Sequence, residues 1–121
     1  MADRILVLST GGTIEMAPGK KGLVIGPGMH FDRNTAGIPP GVVLENQRMF
    51  SLPSPHMTPE LMLRLTLRLQ ELEASGEYDG VVVTHGTDTL EESAFLADLH
   101  LRGSLPVVFT AAMRSAGEMG V

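Results

Sequence analysis

The feature that most constrains the fold of this chain is a run of three consecutive valines, Val81, Val82 and Val83. These β-branched residues show no alternation of apolar and polar side chains, which is typical of a strand that is covered on both faces. Strands of this kind belong to parallel sheets that lie between layers of helices. The run therefore predicts a central strand of a parallel α/β sheet.

Four other segments also have the composition of strands. Residues 5–8 and 107–109 are continuously apolar, residues 42–44 are similar, and residues 23–25 predict one short strand inside a Gly- and Pro-rich segment. That segment, residues 17–41, otherwise predicts a long mobile loop, and a functional lid is one interpretation of such a loop. Residues 46–55 predict a turn-rich connection.

Two helices are predicted between these strands. Thr58 offers a capping hydroxyl before Pro59, and Gly76 offers a stop, so that the leucine-rich segment between them is predicted to be a helix although its leucines also alternate as in a strand. A second helix is predicted to run to about His100. Asp88, with an acid three residues later, or the preceding Thr87 is predicted to cap it.

The alternation of strands and helices predicts a doubly wound, Rossmann-like parallel sheet with flanking helices. In such sheets ligands bind outside the carboxyl ends of the strands. Three of the predicted strands end in small or hydroxyl residues, and these ends are expected to converge on one crevice. The residues concerned are Thr13, Thr87, Asp88, Ala111 and Ala112.

Composition excludes several classes of function. Nine basic and fourteen acidic residues give a formal net charge of −5, which argues against nucleic-acid binding and against a polybasic membrane surface. The chain has no cysteine, and residues 5–8 are too short an apolar run to cross a membrane, so we expect a soluble, cytoplasmic protein. His56 and Glu60 lack a third ligand with suitable spacing, so no metal site is expected.

The hydroxyl-rich turns predict acyl transfer as one coherent reaction class. Thr13, Thr84, Thr87 and Thr89 are candidate nucleophiles, although any single threonine could equally satisfy the backbone of a turn. Backbone amides of the turn at residues 11–13, and those at the start of the helix after Asp88, would be donors to a tetrahedral intermediate. Asp88 could instead hold a substrate ammonium group.

His85 allows two interpretations. With Thr87 and Asp88 it could form a catalytic triad, but adjacent residues on one turn rarely point at one another as a triad requires. We therefore expect His85 to orient the turn.

Three segments together resemble a known family. Residues 9–14, read STGGTI, residues 83–92, read VTHGTDTLEE, and residues 106–114, read PVVFTAAMR, resemble motifs of the bacterial L-asparaginase/glutaminase family, in the same order. The resemblance implies hydrolysis of a side-chain amide, with L-asparagine converted to L-aspartate and ammonia. It implies no metal or organic cofactor, and a homo-oligomer, a dimer or tetramer.

The resemblance also implies roles for individual residues. Thr13 would be the nucleophile that forms the acyl-enzyme, Thr87 the second catalytic threonine, and Asp88 the carboxylate that holds the substrate ammonium and takes part in proton transfer. Ser54 would bind the α-carboxylate of the substrate, and Ala112 would meet the scissile amide through its backbone carbonyl.

Gly86 is also a predicted substrate-binding position, together with Ser54, Asp88 and Ala112, because a glycine allows the backbone to approach a ligand.

The sequence departs from the family pattern in four respects. Glu15 stands where a small residue is usual, Ser115 replaces a common proline, and the only tyrosine, Tyr78, is not in the loop from which the family's lid tyrosine comes. The family's catalytic lysine lies on a segment beyond the equivalent of Val121. We therefore expect residues 1–121 to be part of an amino-terminal α/β domain, with a smaller carboxyl-terminal domain outside this chain.

Two other functions remain open at this stage. The same fold could serve a glutaminase or the amidase subunit of a transamidation complex, since one methylene of substrate is worth only about 1–3 kcal/mol in a pocket. A chain without the lysine could also be a non-catalytic binding or interaction module.

Overall fold

A computed structural model describes residues 3–12, 16–19, 22–25, 37–52 and 56–113. These residues form six strands and two helices. In chain order the elements are β1 (Asp3–Gly11), β2 (Met16–Gly19), β3 (Gly22–Ile25), β4 (Val42–Leu52), α1 (Pro59–Ser75), β5 (Gly80–Thr84), α2 (Leu90–His100) and β6 (Val107–Thr110).

Four of the strands form one sheet in the order β4-β1-β5-β6, and every neighbouring pair is parallel. The helices α1 and α2 provide the crossovers on either side of β5 in the chain. The valine run lies in β5, which has a paired strand on both sides. The predicted parallel α/β sheet with flanking helices is therefore confirmed.

Strand β4 corrects the interpretation of residues 46–52 as part of a turn-rich connection, and residues 53–55 of that segment lie outside the described residues. The strand continues to Leu52 and pairs with β1 along most of its length. Asn46, Gln47 and Arg48 are exposed, as polar residues can be on a strand that forms the edge of the described sheet. Polarity in this segment therefore reflects an edge position, whereas we had interpreted it as a turn.

A second correction concerns residues 17–41. The predicted strand at residues 23–25 is confirmed as β3, but it pairs antiparallel with β2, so residues 17–19 are a strand and not part of a loop. A four-residue strand that contains a proline and ends in a glycine gives little strand signal in sequence. Residues 20–21 and 26–36 of this segment lie outside the described residues, and residues 37–41 belong to no helix or strand.

Helix α1 has the predicted bounds. Thr58 is its N-cap and accepts a hydrogen bond from the Leu61 backbone N–H at 3.2 Å, and Gly76 ends it in the left-handed conformation at φ 67°. Leu65 and Leu69 are buried one turn apart, whereas Leu63 and Leu67 are exposed. The helical spacing therefore decides which leucines enter the core.

Helix α2 ends at His100 as predicted, but its cap is different. The N-cap is Thr89, which makes no side-chain capping hydrogen bond, so the prediction that Asp88 or Thr87 caps the helix is wrong. The turn after β5 extends further than predicted and leaves Thr87 and Asp88 before the helix. The buried face of helix α2 is narrow, because Phe95 is 65% exposed while Ser93 and Ala97 are buried.

The core lies between α1, α2 and one face of the four-stranded sheet. Alternate residues of β1 and β5 meet the leucines of α1 there, as expected for side chains two apart on a strand. Its buried members are Leu6, Leu8, Leu65, Leu69, Leu72, Val81, Val83, Ala97 and Leu105.

Within the described residues, neither helix has the length and hydropathy that a membrane crossing requires.

Candidate active site

The carboxyl ends of three strands lie side by side in register. Ser9 of β1 pairs with Thr84 of β5, and Thr84 pairs with Thr110 of β6. Gly86 lies two residues beyond the end of β5, and Ala112 lies two residues beyond the end of β6. The ends of β1, β5 and β6 therefore lie next to one another, and the prediction that the residues after them line one crevice stays a prediction.

Two hydrogen bonds hold this edge together. The Thr10 hydroxyl donates to the Thr84 carbonyl oxygen at 2.8 Å, and both residues are fully or almost fully buried. The His85 backbone N–H donates to the Thr110 carbonyl oxygen at 2.9 Å. Together these bonds link β1 to β5 and β5 to β6 just where the strands end.

The turns that leave β1 and β5 are in direct contact. A methyl group placed on Gly12 would lie 2.7 Å from both the Cα and the backbone nitrogen of Gly86 and 2.9 Å from the carbonyl carbon of His85. Carbon atoms of real side chains do not approach backbone so closely, and φ of Gly12 is +92°, in the region that favours glycine. Glycine at position 12 therefore allows the two turns to touch.

His85 is buried beneath this contact. Its Nδ1 lies 2.9 Å from the Gly86 carbonyl oxygen and its Nε2 lies 2.8 Å from the Ser93 hydroxyl, and the ring is fully buried. The ring of Phe109 is 6.3 Å away, centroid to centroid. Both nitrogens are thus engaged with Gly86 and Ser93, as a histidine that orients the turn requires, and neither is bonded to Thr87 or Asp88.

Burial lowers the pKa of His85 below the ordinary value of 6.5, while the Gly86 carbonyl and the charge of Glu92 oppose this shift. The imidazole is therefore neutral at neutral pH. Since a carbonyl oxygen can only accept, Nδ1 carries the proton, and Nε2 accepts a hydrogen bond from the Ser93 hydroxyl.

The predicted site residues fall into three groups. Gly86 is buried at the contact between the turns, and Thr87 and Asp88, which follow it, are exposed. Ala112 is half-buried beyond the end of β6. Thr13 and Ser54 lie outside the described residues.

Two of the candidate nucleophiles are in unsuitable positions. The side chain of Thr84 is fully buried, and its hydroxyl has no hydrogen-bond partner in the described part of the chain. Thr89 is the half-buried N-cap of α2. A nucleophile must reach the substrate, so the structure leaves Thr87 as the exposed hydroxyl of this turn.

Sequence reasoning missed two residues of the site. Ser93, the partner of His85, lies eight residues further along the chain, and the sequence predicts only that it belongs to a helix. The sequence feature that could have indicated its position is a small polar residue four positions before Ala97, on the buried face of α2. The sequence predicts that Gly12 lies in the turn at residues 11–13, but it does not indicate which residue Gly12 contacts. Its contact with Gly86 depends on the pairing of β1 with β5, which sequence spacing does not reveal.

No group of three or more histidine, aspartate or glutamate side chains that could hold a metal occurs among the residues described.

The fold defines a class of protein: a parallel α/β domain with flanking helices, in which ligands generally bind at the carboxyl ends of the strands. Glycines, hydroxyls and one carboxylate line that edge. The family model described as "Asparaginase, N-terminal" matches residues 4–121, and the chain therefore belongs to the asparaginase family through its amino-terminal domain.

Three similar proteins illustrate the relationship. A probable L-asparaginase of Deinococcus radiodurans is 42% identical over 118 residues, which are 96% of this chain and 34% of that protein. The thermostable L-asparaginase of Thermococcus kodakarensis superposes with a TM-score of 0.78 at 33% identity, over 97% of this chain and 36% of that one. A probable cytoplasmic L-asparaginase of Campylobacter jejuni gives a TM-score of 0.76 at 32% identity, over 98% of this chain and 35% of that one.

The chain thus spans about a third of the length of these relatives.

Proposed function

We propose that the protein to which this chain belongs hydrolyses L-asparagine to L-aspartate and ammonia through a threonine acyl-enzyme. The contact between Gly12 and Gly86 is the observation that carries the proposal. It brings the backbone that leads into Thr13 against the backbone that leads into Thr87 and Asp88. Membership of the asparaginase family supports the choice of reaction.

In this proposal the hydroxyl of Thr13 attacks the side-chain amide carbon of the substrate. Backbone N–H groups of the two touching turns stabilise the tetrahedral oxyanion, ammonia leaves, and water then hydrolyses the aspartyl ester. Thr87 is the second catalytic hydroxyl. Its exposure at the strand-end edge supports that role.

The remaining roles concern substrate binding. Asp88 holds the substrate ammonium group, and its exposed position next to Thr87 supports this role. Ser54 binds the α-carboxylate, and the backbones of Gly86 and Ala112 approach the scissile amide. The reaction requires no metal or organic cofactor in this proposal, because the two turns provide the nucleophile and the donors to the oxyanion.

The catalytic lysine and a smaller carboxyl-terminal domain are proposed to lie outside residues 1–121. The fraction of its relatives that the chain spans supports this view. We also propose that the protein is cytoplasmic, as the name of the Campylobacter jejuni relative suggests for that protein, and that it assembles as a dimer or tetramer.

Ammonia release tests the proposal. We would compare the 121-residue chain with an extended protein, in which residues 1–121 replace the matching part of the Deinococcus radiodurans relative. We expect the extended protein to release ammonia from L-asparagine and the isolated chain to release little or none. A folded extended protein that acts on neither L-asparagine nor L-glutamine would remove the enzyme function and leave a binding module.

The same assay on L-glutamine separates the two amides. A kcat/KM for L-glutamine above that for L-asparagine would assign a glutaminase or the amidase subunit of a transamidation complex.

The Thr13→Ala variant of the extended protein tests the nucleophile. We expect it to fold normally and to form no acyl-enzyme, which rapid acid quenching and peptide mass spectrometry would detect in the parent. An active Thr13→Ala variant would transfer the role of nucleophile to Thr87.

A further inference from the structure

We infer that His85 and Ser93 are a pair of positioning residues that fixes the peptide between Gly86 and Thr87, and with it the direction of the Thr87 backbone N–H. The inference rests on the proposed function for its effect on turnover. Its structural part, the hydrogen-bonded state of the ring, stands on the contacts of His85 alone.

The first step concerns which atoms carry protons. The Gly86 carbonyl oxygen accepts only, so the Nδ1 of His85 must donate across the 2.9 Å contact. In the neutral ring, Nε2 is then an acceptor and takes its hydrogen bond from the Ser93 hydroxyl at 2.8 Å. The ring is held at both nitrogens and cannot turn without losing a buried hydrogen bond.

The second step follows from peptide geometry. The Gly86 carbonyl and the Thr87 N–H belong to the same peptide unit, and the described chain contains no cis peptide bond. In a trans unit these two groups point in opposite directions. Because His85 holds the carbonyl toward the buried ring, the Thr87 N–H points away from it.

The third step explains why Ser93 matters. Ser93 lies on the buried face of α2 with Ala97, so its hydroxyl belongs to the rigid part of the fold. His85 connects that helix to a turn whose next residues, Thr87 and Asp88, are exposed. The same Gly86 backbone also contacts Gly12, so a shift of this peptide would disturb both turns.

Two matched variants of His85 separate its two hydrogen bonds. The side-chain nitrogen of asparagine can take the place of Nδ1, and that of glutamine can take the place of Nε2. His85→Asn therefore keeps a donor for the Gly86 carbonyl, whereas His85→Gln keeps a partner for Ser93 only. Both variants place an amide of similar polarity in the same cavity.

Steady-state kinetics of the extended protein on L-asparagine should distinguish them. We expect His85→Gln to lose on the order of 100-fold in kcat and His85→Asn less than about tenfold, with smaller changes in KM, because misplacement of a donor affects the transition state most. Ser93→Ala should lower kcat, and Ser93→Thr, which keeps the hydroxyl, should restore it. Equal losses in the two His85 variants would contradict the inference.

A second measurement does not depend on activity. Proton–nitrogen NMR of protein labelled with ¹⁵N-histidine should show the His85 ring, identified by the signal that His85→Asn removes, as neutral and protonated at Nδ1. A ring protonated at Nε2, or a charged ring at neutral pH, would overturn the inference. If the wild-type protein fails to hydrolyse either amide, the proposed function falls, and this spectrum still decides the state of the ring.

Discussion

The two ends of the parallel sheet are held together by different kinds of interaction. At the carboxyl end, β1, β5 and β6 are joined by backbone groups, hydroxyls and a neutral imidazole, nearly all of them buried. At the amino end, backbone hydrogen bonds such as that from the Asp79 N–H to the Arg4 carbonyl oxygen are supplemented by charged side chains on the surface. The buried polar groups therefore lie at the end where we propose the active site, and the exposed ion pairs lie at the opposite end.

The first group of side-chain contacts at the amino end joins Arg4, Glu45 and Tyr78. The Arg4 guanidinium pairs with Glu45 at 2.7 Å and lies 5.0 Å from the centroid of the Tyr78 ring, and the Tyr78 hydroxyl donates to the second oxygen of Glu45. The hydrogen bond from Tyr78, followed by that from Arg4, lowers the pKa of Glu45, and the Glu45 carboxylate raises the pKa of Tyr78. The contacts of Tyr78 with Glu45 and Arg4 therefore lie at the end of the sheet opposite the proposed active site.

The second group of contacts at the amino end joins Glu73 to the loop before β6. Its carboxylate accepts hydrogen bonds from four consecutive backbone N–H groups, those of Arg102, Gly103, Ser104 and Leu105, at 2.8 to 3.4 Å. These bonds, that from Arg102 first, lower the pKa of Glu73. The loop between α2 and β6 is thus attached to α1, on the side where β6 begins.

The two ends differ in which polar groups remain exposed. At the amino end Arg4 and Glu45 pair with each other, and Asp79 and Glu73 accept hydrogen bonds from backbone N–H groups. At the carboxyl end the buried side chains of Thr10, His85 and Ser93 are hydrogen-bonded, whereas Thr87 and Asp88 are exposed.

The largest effect on stability is expected from Gly12→Ala. The added methyl would overlap Gly86, at a cost of about 1–3 kcal/mol for overpacking, and φ of +92° adds about 1–2 kcal/mol. We expect a lower free energy of unfolding by chemical denaturation, and a kcat on L-asparagine lower on the order of 100-fold in the extended protein.

Gly76→Ala is the matched control, because Gly76 also has a positive φ, of 67°, but a methyl there meets nothing within 4 Å. It should lose only the conformational part of the free energy and keep its kcat. Similar losses in both variants would show that the contact between the turns has no special importance.

An intermediate effect is expected from pH. Because burial lowers the pKa of His85 in the folded state, the unfolded state binds more protons below pH 6.5, and the free energy of unfolding falls as the pH drops below that value. Denaturation of wild type and His85→Asn at successive pH values should show a flatter dependence for the variant just below 6.5. Parallel curves would contradict a neutral buried ring.

The carboxylates of the amino end should respond in a different range. The pKa values of Glu45 and Glu73 are lowered from 4.5, so the stability that they contribute is present above 4.5 and is lost as the pH falls below it. The two ends of the sheet therefore lose stability in separate pH windows.

The smallest effect is expected from Glu73→Gln. The variant keeps one acceptor but loses the charge that four N–H groups share, so amide hydrogen exchange should become faster at residues 102–105. The melting temperature should fall slightly, and kcat should stay unchanged. A loss of kcat comparable to that of Gly12→Ala would mean that the two ends are coupled.

Much of the fold could be predicted from sequence, because its strongest signals are local. The valine run, the Thr58 and Gly76 caps and the apolar segments at residues 5–8 and 107–109 each specify an element through neighbouring residues. The edge strand β4 and the short strand β2 could not be predicted in the same way. Their polar and proline-containing sequences form strands only because a partner supplies the hydrogen bonds.

The site could be predicted in part for the same reason. The location of Gly86, Thr87 and Asp88 in the turn after β5 could be predicted, because an apolar strand precedes them in the sequence. The contact of Gly12 with Gly86 and the bond of His85 with Ser93 depend on distances between separate elements. Thr89 was not predicted as the N-cap, because the turn that contains Thr87 and Asp88 is longer than expected and the helix begins only at Leu90.

The most direct test of the account is kcat/KM for L-asparagine in the extended protein with one hydroxyl removed at each end of the sheet. Thr87→Ala should lower it by about 10²–10⁴-fold, as expected for loss of a group that transfers protons in the transition state. Tyr78→Phe, which removes the hydroxyl bonded to Glu45, should leave it within about twofold of the parent, because a change far from the reacting atoms leaves the transition state unaltered. A Thr87→Ala variant with the activity of the parent would contradict the assignment of the carboxyl end as the active site.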